Sequence, residues 1–271
     1  MSEATEDAGD ASVGEAAYRR IRTDILFGHL SPGQKLGLDR LRETYGAGIS
    51  TLRELLNRLA SEGLVTAEGA RGFEVALVSA EEFRELAELR LLLEGYALEQ
   101  SFAAGGLDWE AGVVAAHHKL AALERSLLAG DAADPQVWKR YDWEFHRALI
   151  TACRSEVLLK AHAAAYDRYL RYQMVAVVFR GAIAVEEHQA LLRCALARDS
   201  ASARRVLANH LNGCVEHVVS TGGLDGFSRG GQHRSTIASA PAVCSGLRRA
   251  KAERPQGSSS GVPRRSRKAA T

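Results

Sequence analysis

Apolar residues in the first eighty positions recur at helical spacing in three short runs. Ala17, Ile21, Ile25 and Leu26 predict a helix over residues 15–28. Leu38, Leu41 and Tyr45 predict a second over Leu38–Tyr45, and Leu52, Leu55, Leu56 and Leu59 a third over Ser50–Ser61. Ser31-Pro32-Gly33 reads as a turn, and "GAGIS" (46–50) separates the second helix from the third, with Ser50 as its N-cap. The pattern then alternates: Leu64–Thr66 and Phe73–Val75 read as strands joined by a glycine-containing tip. Three helices followed by a two-stranded ribbon is the plan of a winged helix-turn-helix.

After Ser79 the pattern is helical throughout. Ser79 with Glu82 has the spacing of a capping box opening a helix to Ala104. Asp108 is placed to cap a helix to Leu128, and Asp134-Pro135 starts one ending near Cys153. Ser155 opens another to about Phe179, broken before Gly181, and two more cover Ile183–Arg198 and Ser200–Ser220. The expected fold is mainly α: an N-terminal winged helix over 15–78 and a C-terminal antiparallel all-helical bundle over 79–220. Residues 1–14 and 221–271 are expected to be disordered tails.

Composition adds little to this, but charge distribution matters. Residues 222–271 carry ten Lys/Arg and two Asp/Glu, so an overall charge of +2 leaves −6 for residues 1–221. That Gly/Ser/Pro/Arg-rich segment lacks apolar periodicity and can add nonspecific attraction to nucleic acid. Cys153, Cys194, Cys214 and Cys244 are scattered, without CxxC spacing, which fits a reducing compartment. The acidic start, "MSEATEDAGDASVGEA", resembles no targeting peptide, and no uninterrupted apolar run reaches membrane-spanning length. A soluble cytoplasmic protein is expected.

Opposite its leucines, the third helix shows Ser50, Thr51, Arg53, Asn57 and Arg58. Arginines donate to phosphates or guanine edges, hydroxyls suit phosphates, and Asn57 suits a base edge. Arg71 and Gly72 fall at the wing tip, where a small residue lets backbone approach a groove. Residues 15–78 hold nine Lys/Arg against eight Asp/Glu, so binding would rest on charge placement rather than excess. The stretch "GHLSPGQKLGLDRLRETYGAGISTLRELLNRLASEGLVTAEGARGFEVALVS" resembles the winged-helix domain of the GntR superfamily over more than fifty residues. That resemblance implies double-stranded operator DNA as partner. Ile49 departs from it, standing where many relatives carry Arg or Thr, so operator preference is expected to differ.

In "RYDWEFHRAL" (140–149), Asp142 and His146 lie in the apolar stripe of Trp138, Tyr141, Phe145, Leu149 and Ile150. His188 shares a stripe with Val185, Leu191, Leu192 and Ala195, and His210 one with Ala203, Val206, Leu207 and Cys214. A buried carboxylate without partners costs several kcal/mol; a metal ion removes that difficulty, since imidazole and carboxylate are natural ligands. Local i,i+4 pairing and hydrogen-bonded core histidines are the simpler alternatives. His217 is a spare candidate, and His29, His117, His118, His162 and His233 read as surface or loop residues.

Residues 79–220 resemble the FCD ligand-binding domain of the FadR branch, through "ELRLLLEG", "D..FH..L", "EH..L" and "NHL". The resemblance implies that Asp142, His146, His188 and His210 hold a divalent metal, zinc foremost, with nickel or manganese open. It further implies a small organic acid effector, with Arg90 at its carboxylate and Arg171 a second candidate, and a homodimer reading a palindromic operator. The wording "YGAGISTLRE" and "WEAGVVAAHHKL" is similar to regulators of short dicarboxylates such as glutarate. The implied protein is an effector-responsive regulator, most often a repressor, and not an enzyme. A competing reading is a metal-dependent hydrolase or lyase using the same four residues. Against it, no extra general base is evident and the DNA-reading module goes unexplained. A regulator that has lost its metal and uses the cavity for a larger ligand is the third reading.

Overall fold

The computed structural model describes residues 3–131, 134–176 and 179–227. Its elements run α1 (Glu3–Leu26), α2 (Leu38–Tyr45), α3 (Ile49–Ser61), β1 (Val65–Ala67) and β2 (Phe73–Val75). They continue as α4 (Ala80–Ala104), α5 (Leu107–Ala129), α6 (Pro135–Ile150), α7 (Glu156–Val175), α8 (Ala182–Ala197) and α9 (Ser200–Ser220).

The first half is built around leucines. Ala17, Ile21 and Ile25 of α1 pack with Leu41 and Tyr45 of α2 and with Leu52, Leu56 and Leu59 of α3. Each fully buried leucine contributes about 2 kcal/mol by removal from water. Gly46, at φ 72°, ends α2 in the left-handed conformation that glycine adopts without a Cβ penalty. β1 and β2 pair antiparallel with Val65 opposite Val75, and an isolated bridge from Lys35 to Glu74 extends the ribbon. Its tip is a 3-10 turn over Gly69–Arg71, closed by Gly72 at φ 91° and ψ −140°, a region open essentially only to glycine.

The second half is a helical bundle in which α4 packs on α7 and α9, α5 on α6 and α8, and α8 on α9. Side-chain caps fix where its helices begin. Ser79 accepts from the Glu82 amide, Asp134 from Gln136 ahead of Pro135, Ser155 from Leu158, and Asp199 from Ser202. No helix among the described residues is long and apolar enough to cross a membrane.

Several elements depart from expectation. Helix α1 starts at Glu3, not at residue 15, so residues expected to be a tail are helical. Alanines and early acidic residues favour a helix there without any apolar stripe, and periodicity detects only the stripe. Ser50 does not cap α3: the helix begins one residue earlier, Gly48 takes the N-cap, and Ser50 lies in the first turn. Asp108 likewise sits inside α5, whose N-cap is Gly106, and its charge faces the positive end of the helix dipole. The capping box is half formed, because the Glu82 carboxylate turns to Tyr172 (2.6 Å) and Arg168. Helix α7 ends at Val175, before Phe179. Past Ser220 the chain remains packed: Leu224 is buried and Phe227 rests on the bundle core. The basic stretch from 228 on, with His233 and Cys244, lies outside the described residues.

Candidate metal centre and DNA-reading face

Helix α6 carries Asp142 and His146 one turn apart, α8 carries His188, and α9 carries His210; all four are buried. One ligand atom from each lies within 4.8 Å of all the others. A set this size closes on an ion with bonds of about 2 Å through side-chain shifts of order 1 Å. Local pairing of Asp142 with His146 therefore does not account for the arrangement.

Each histidine is held from behind by a carboxylate. Nδ1 of His146 lies 2.6 Å from Glu94, Nδ1 of His188 lies 2.6 Å from Glu124, and Nδ1 of His210 lies 2.8 Å from Glu187. An Nδ1–H donated to a carboxylate leaves the Nε2 lone pair free, as metal-binding imidazoles require. Nε2 of His146 and of His188 are buried without a hydrogen-bond partner, and His188 Nε2 is 3.3 Å from Asp142 Oδ1. Nε2 of His146 without a partner and Nε2 of His188 facing Asp142 are groups that a cation would satisfy together, and the donor set of one oxygen and three nitrogens suits a divalent ion such as zinc. Bound there, the ion would neutralise Asp142 and supply a Lewis-acidic centre for an anionic ligand.

Protonation follows from these neighbours. Burial would raise the Asp142 carboxyl, but Lys139 and His188 outweigh it and hold it well below the usual range. Burial lowers His146, opposed by Glu94. It also lowers His210, to about 3, despite Glu187. For His188 the balance reverses: burial is overcome by Asp142 and Glu124, and the imidazole is lifted to about 9. Tyr166 donates to Asp142 Oδ2 at 2.7 Å, which fixes the carboxylate.

The sequence pattern missed the supporting residues, though some left a trace. Glu124 occupies the stripe of Val113, Ala116 and Leu120, and Glu94 sits one turn after Arg90 in that of Ala87 and Leu98. Polar residues in apolar stripes were the available signal. His162, expected at the surface, is fully buried and meets Glu94 at 2.9 Å, because α7 turns it inward beside Trp143. His117 is half-buried against Phe145, while His29, His118 and the spare candidate His217 are exposed.

The two arginines expected at an effector part company. Arg90 is fully buried, gives Nε to Glu94 at 2.8 Å, and leaves Nη1 and Nη2 without acceptors beneath Tyr166 and Tyr169. The Arg171 guanidinium donates instead to the Ala76 carbonyl after the wing. It is buried rather than solvated, since α7 also packs toward the N-terminal half. A cavity of about 10 Å³ adjoins Asp142, His188 and His210, and neither Arg90 nor Arg171 lines it.

On α3, Ser50, Arg53 and Asn57 form an exposed stripe, and Arg53 has no ion-pair partner among the described residues. Arg71 is exposed at the wing tip beside Gly72. Thr51 is half-buried, its methyl facing Gly14 of α1. Arg58 is committed elsewhere, lying over the Tyr18 ring and pairing with Glu15 at 3.1 Å.

Residues 14–75 match the model for bacterial regulatory proteins of the gntR family, and residues 85–213 match the FCD domain. The HTH-type transcriptional regulator BphR of Paraburkholderia xenovorans is 35% identical, over 76% of this chain and 85% of its own. This chain belongs to the GntR family of bacterial transcriptional regulators. The HTH-type transcriptional repressor GlaR of Escherichia coli is 33% identical, over 72% of this chain and 90% of its own. Among solved structures, E. coli McbR/YncC shares the fold with a TM-score of 0.65 at 19% identity, covering 77% of this chain and 98% of that one. The relatives are transcriptional regulators, not enzymes, and the hydrolase or lyase reading is not favoured.

Proposed function

We propose that this GntR-family regulator is a cytoplasmic, zinc-dependent repressor that releases its operator when a small organic acid, of the short dicarboxylate class, enters the bundle. The observation that carries the reading is the cluster of Asp142, His146, His188 and His210, with a carboxylate behind each histidine and two Nε2 atoms left without partners. Arg90, with two unpaired buried Nη groups, supplies a contact for the acid's carboxylate. Residues 15–78 act as the DNA-reading unit and 79–220 as the effector-binding and dimerisation unit.

In a homodimer, two α3 helices reach successive major grooves and read a palindromic operator about one helical turn between half-sites. Ser50, Arg53 and Asn57 face the groove, and Arg71 with Gly72 approach the flanking backbone. Thr51 packs on α1 beside that face, and Arg58 braces it through Tyr18 and Glu15. The acid shifts the population between operator-competent and incompetent dimers, by its differential affinity for the two.

Genomic DNA capture on the zinc-loaded protein, with and without glutarate, tests the reading. A discrete palindromic sequence should be enriched, glutarate should release it, and Arg53→Ala should weaken it. Undiminished binding by Arg53→Ala would sink the assignment of α3, and equal zinc content in the His188→Ala/His210→Ala variant would sink the metal site.

A further inference from the structure

The cavity beside the metal ligands is lined by Lys139, Gln173 and Arg180 as well as Asp142, His188 and His210. Two cationic side chains thus face one carboxylate, before any ion adds its own charge. At about 10 Å³ it holds no more than one water molecule, so an acid can enter only if a lining side chain moves. Lys139 is 3% exposed and pinned over the Trp138 ring, and Gln173 is 3% exposed. Arg180 (9%) and its partner Glu187 (16%) are the polar groups around the cluster that reach solvent. Arg180 precedes Gly181, whose φ of 62° and ψ of −141° suit glycine alone, and it lies against Gly213, where a Cβ would stand 2.7 Å from Nη1. The absence of a side chain at Gly213 thus gives the Arg180 guanidinium room against α9.

Its hydrogen bonds contain a conflict. Arg180 Nη2 is 3.2 Å from His210 Nδ1, and the same Nδ1 is 2.8 Å from Glu187 Oε2. One ring nitrogen cannot both accept from the arginine and donate to the carboxylate. When Nε2 of His210 serves as a ligand, the proton sits on Nδ1 and points to Glu187, so two donors face each other at Arg180. Arg180 is then left with Glu187 and the His210 carbonyl at 3.2 Å.

We infer that Arg180 is the effector-receiving residue at the cavity mouth, exchanging the Glu187 carboxylate for an anionic group of the incoming acid. This rests on the acid-effector reading above and adds a residue to it, distinct from Arg90. The exchange opens the cavity and seats the acid beside Asp142, His188 and His210. It needs no new charge in the protein, because one carboxylate replaces another on the same guanidinium. Glu187 keeps its place behind His210.

The test uses calorimetric titration of the zinc-loaded full-length protein with acetate, lactate, glutarate and citrate, with zinc content measured in parallel. For the acids that bind the wild type, Arg180→Ala should weaken binding at least ten-fold with zinc content unchanged. Glu187→Gln should tighten it several-fold, because the amide still accepts from His210 but no longer holds the guanidinium. Wild-type affinity in Arg180→Ala would overturn the inference and leave the effector reading standing. Weakening by Glu187→Gln to match Arg180→Ala would also overturn it, marking the pair as a structural brace. If none of the four acids binds the wild type, the effector reading falls and this inference with it.

Discussion

The two halves of this regulator bury different chemistry. Beneath the wing the core is leucine, isoleucine and valine, and its polar groups stay at the rim, as with Tyr45 donating to Asp24 at 2.6 Å. The bundle buries Arg90, Glu94, Glu124, Lys139, Asp142 and four histidines inside a comparable apolar shell. An apolar core is held by area and tolerates small losses at any one point. A buried charge network is held by pairing, and removing one member leaves others stranded. The first architecture suits a rigid reading head. The second suits the ion- and anion-responsive site proposed above.

The comparison can be broken most severely at the ligands. His188→Ala with His210→Ala should reduce bound zinc from about one per chain to near none, measured by elemental analysis. Zinc should raise the melting temperature of the wild type but not of this variant. Next in size, Glu94→Ala strands Arg90, His146 and His162 together and should cost about 3–5 kcal/mol in denaturant unfolding. A loss below about 1 kcal/mol would mean that the network is not held by pairing. In the leucine core, Leu56→Ala should cost about 2–5 kcal/mol of stability yet leave zinc content unchanged. Loss of zinc in that variant would erase the distinction between the halves.

At the surface of the reading head, Arg53→Ala should weaken operator binding by about 1–3 kcal/mol with the melting temperature nearly unmoved. The smallest effect is expected from removing residues 228–271. The salt dependence of DNA binding should become shallower, while affinity for the effector stays the same. Truncation after Ser220 would be a poorer experiment, since it also removes the packed Leu224 and Phe227.

Amphipathic periodicity located both ends of α2, and the capping residue Ser79 located the start of α4. It missed the first twelve residues of α1, where helix forms without an apolar face for the pattern to show. At the site, Asp142, His146, His188 and His210 were legible because each interrupts an apolar stripe. Glu94 and Glu124 interrupt stripes in the same way, but nothing in the chain says that α4 and α5 face α6 and α8. His162 was missed because Lys160, Ala161 and Ala164 around it are exposed, and only packing turns its face of α7, with Ala165 and Tyr166, toward Glu94.

What the sequence determined by itself is local or motif-borne: where helices run, the wing after α3, and which ionisable residues lie on buried faces. Tertiary structure decided what those residues meet. It set Glu187 between Arg180 and His210, gave Arg171 to the Ala76 carbonyl, and drew Arg58 down onto Tyr18. The physical reason is range: side-chain period and capping act over a few residues. A charge, by contrast, finds its partner across contacts as distant as the 145 positions between Arg22 and Asp167, which only packing brings together.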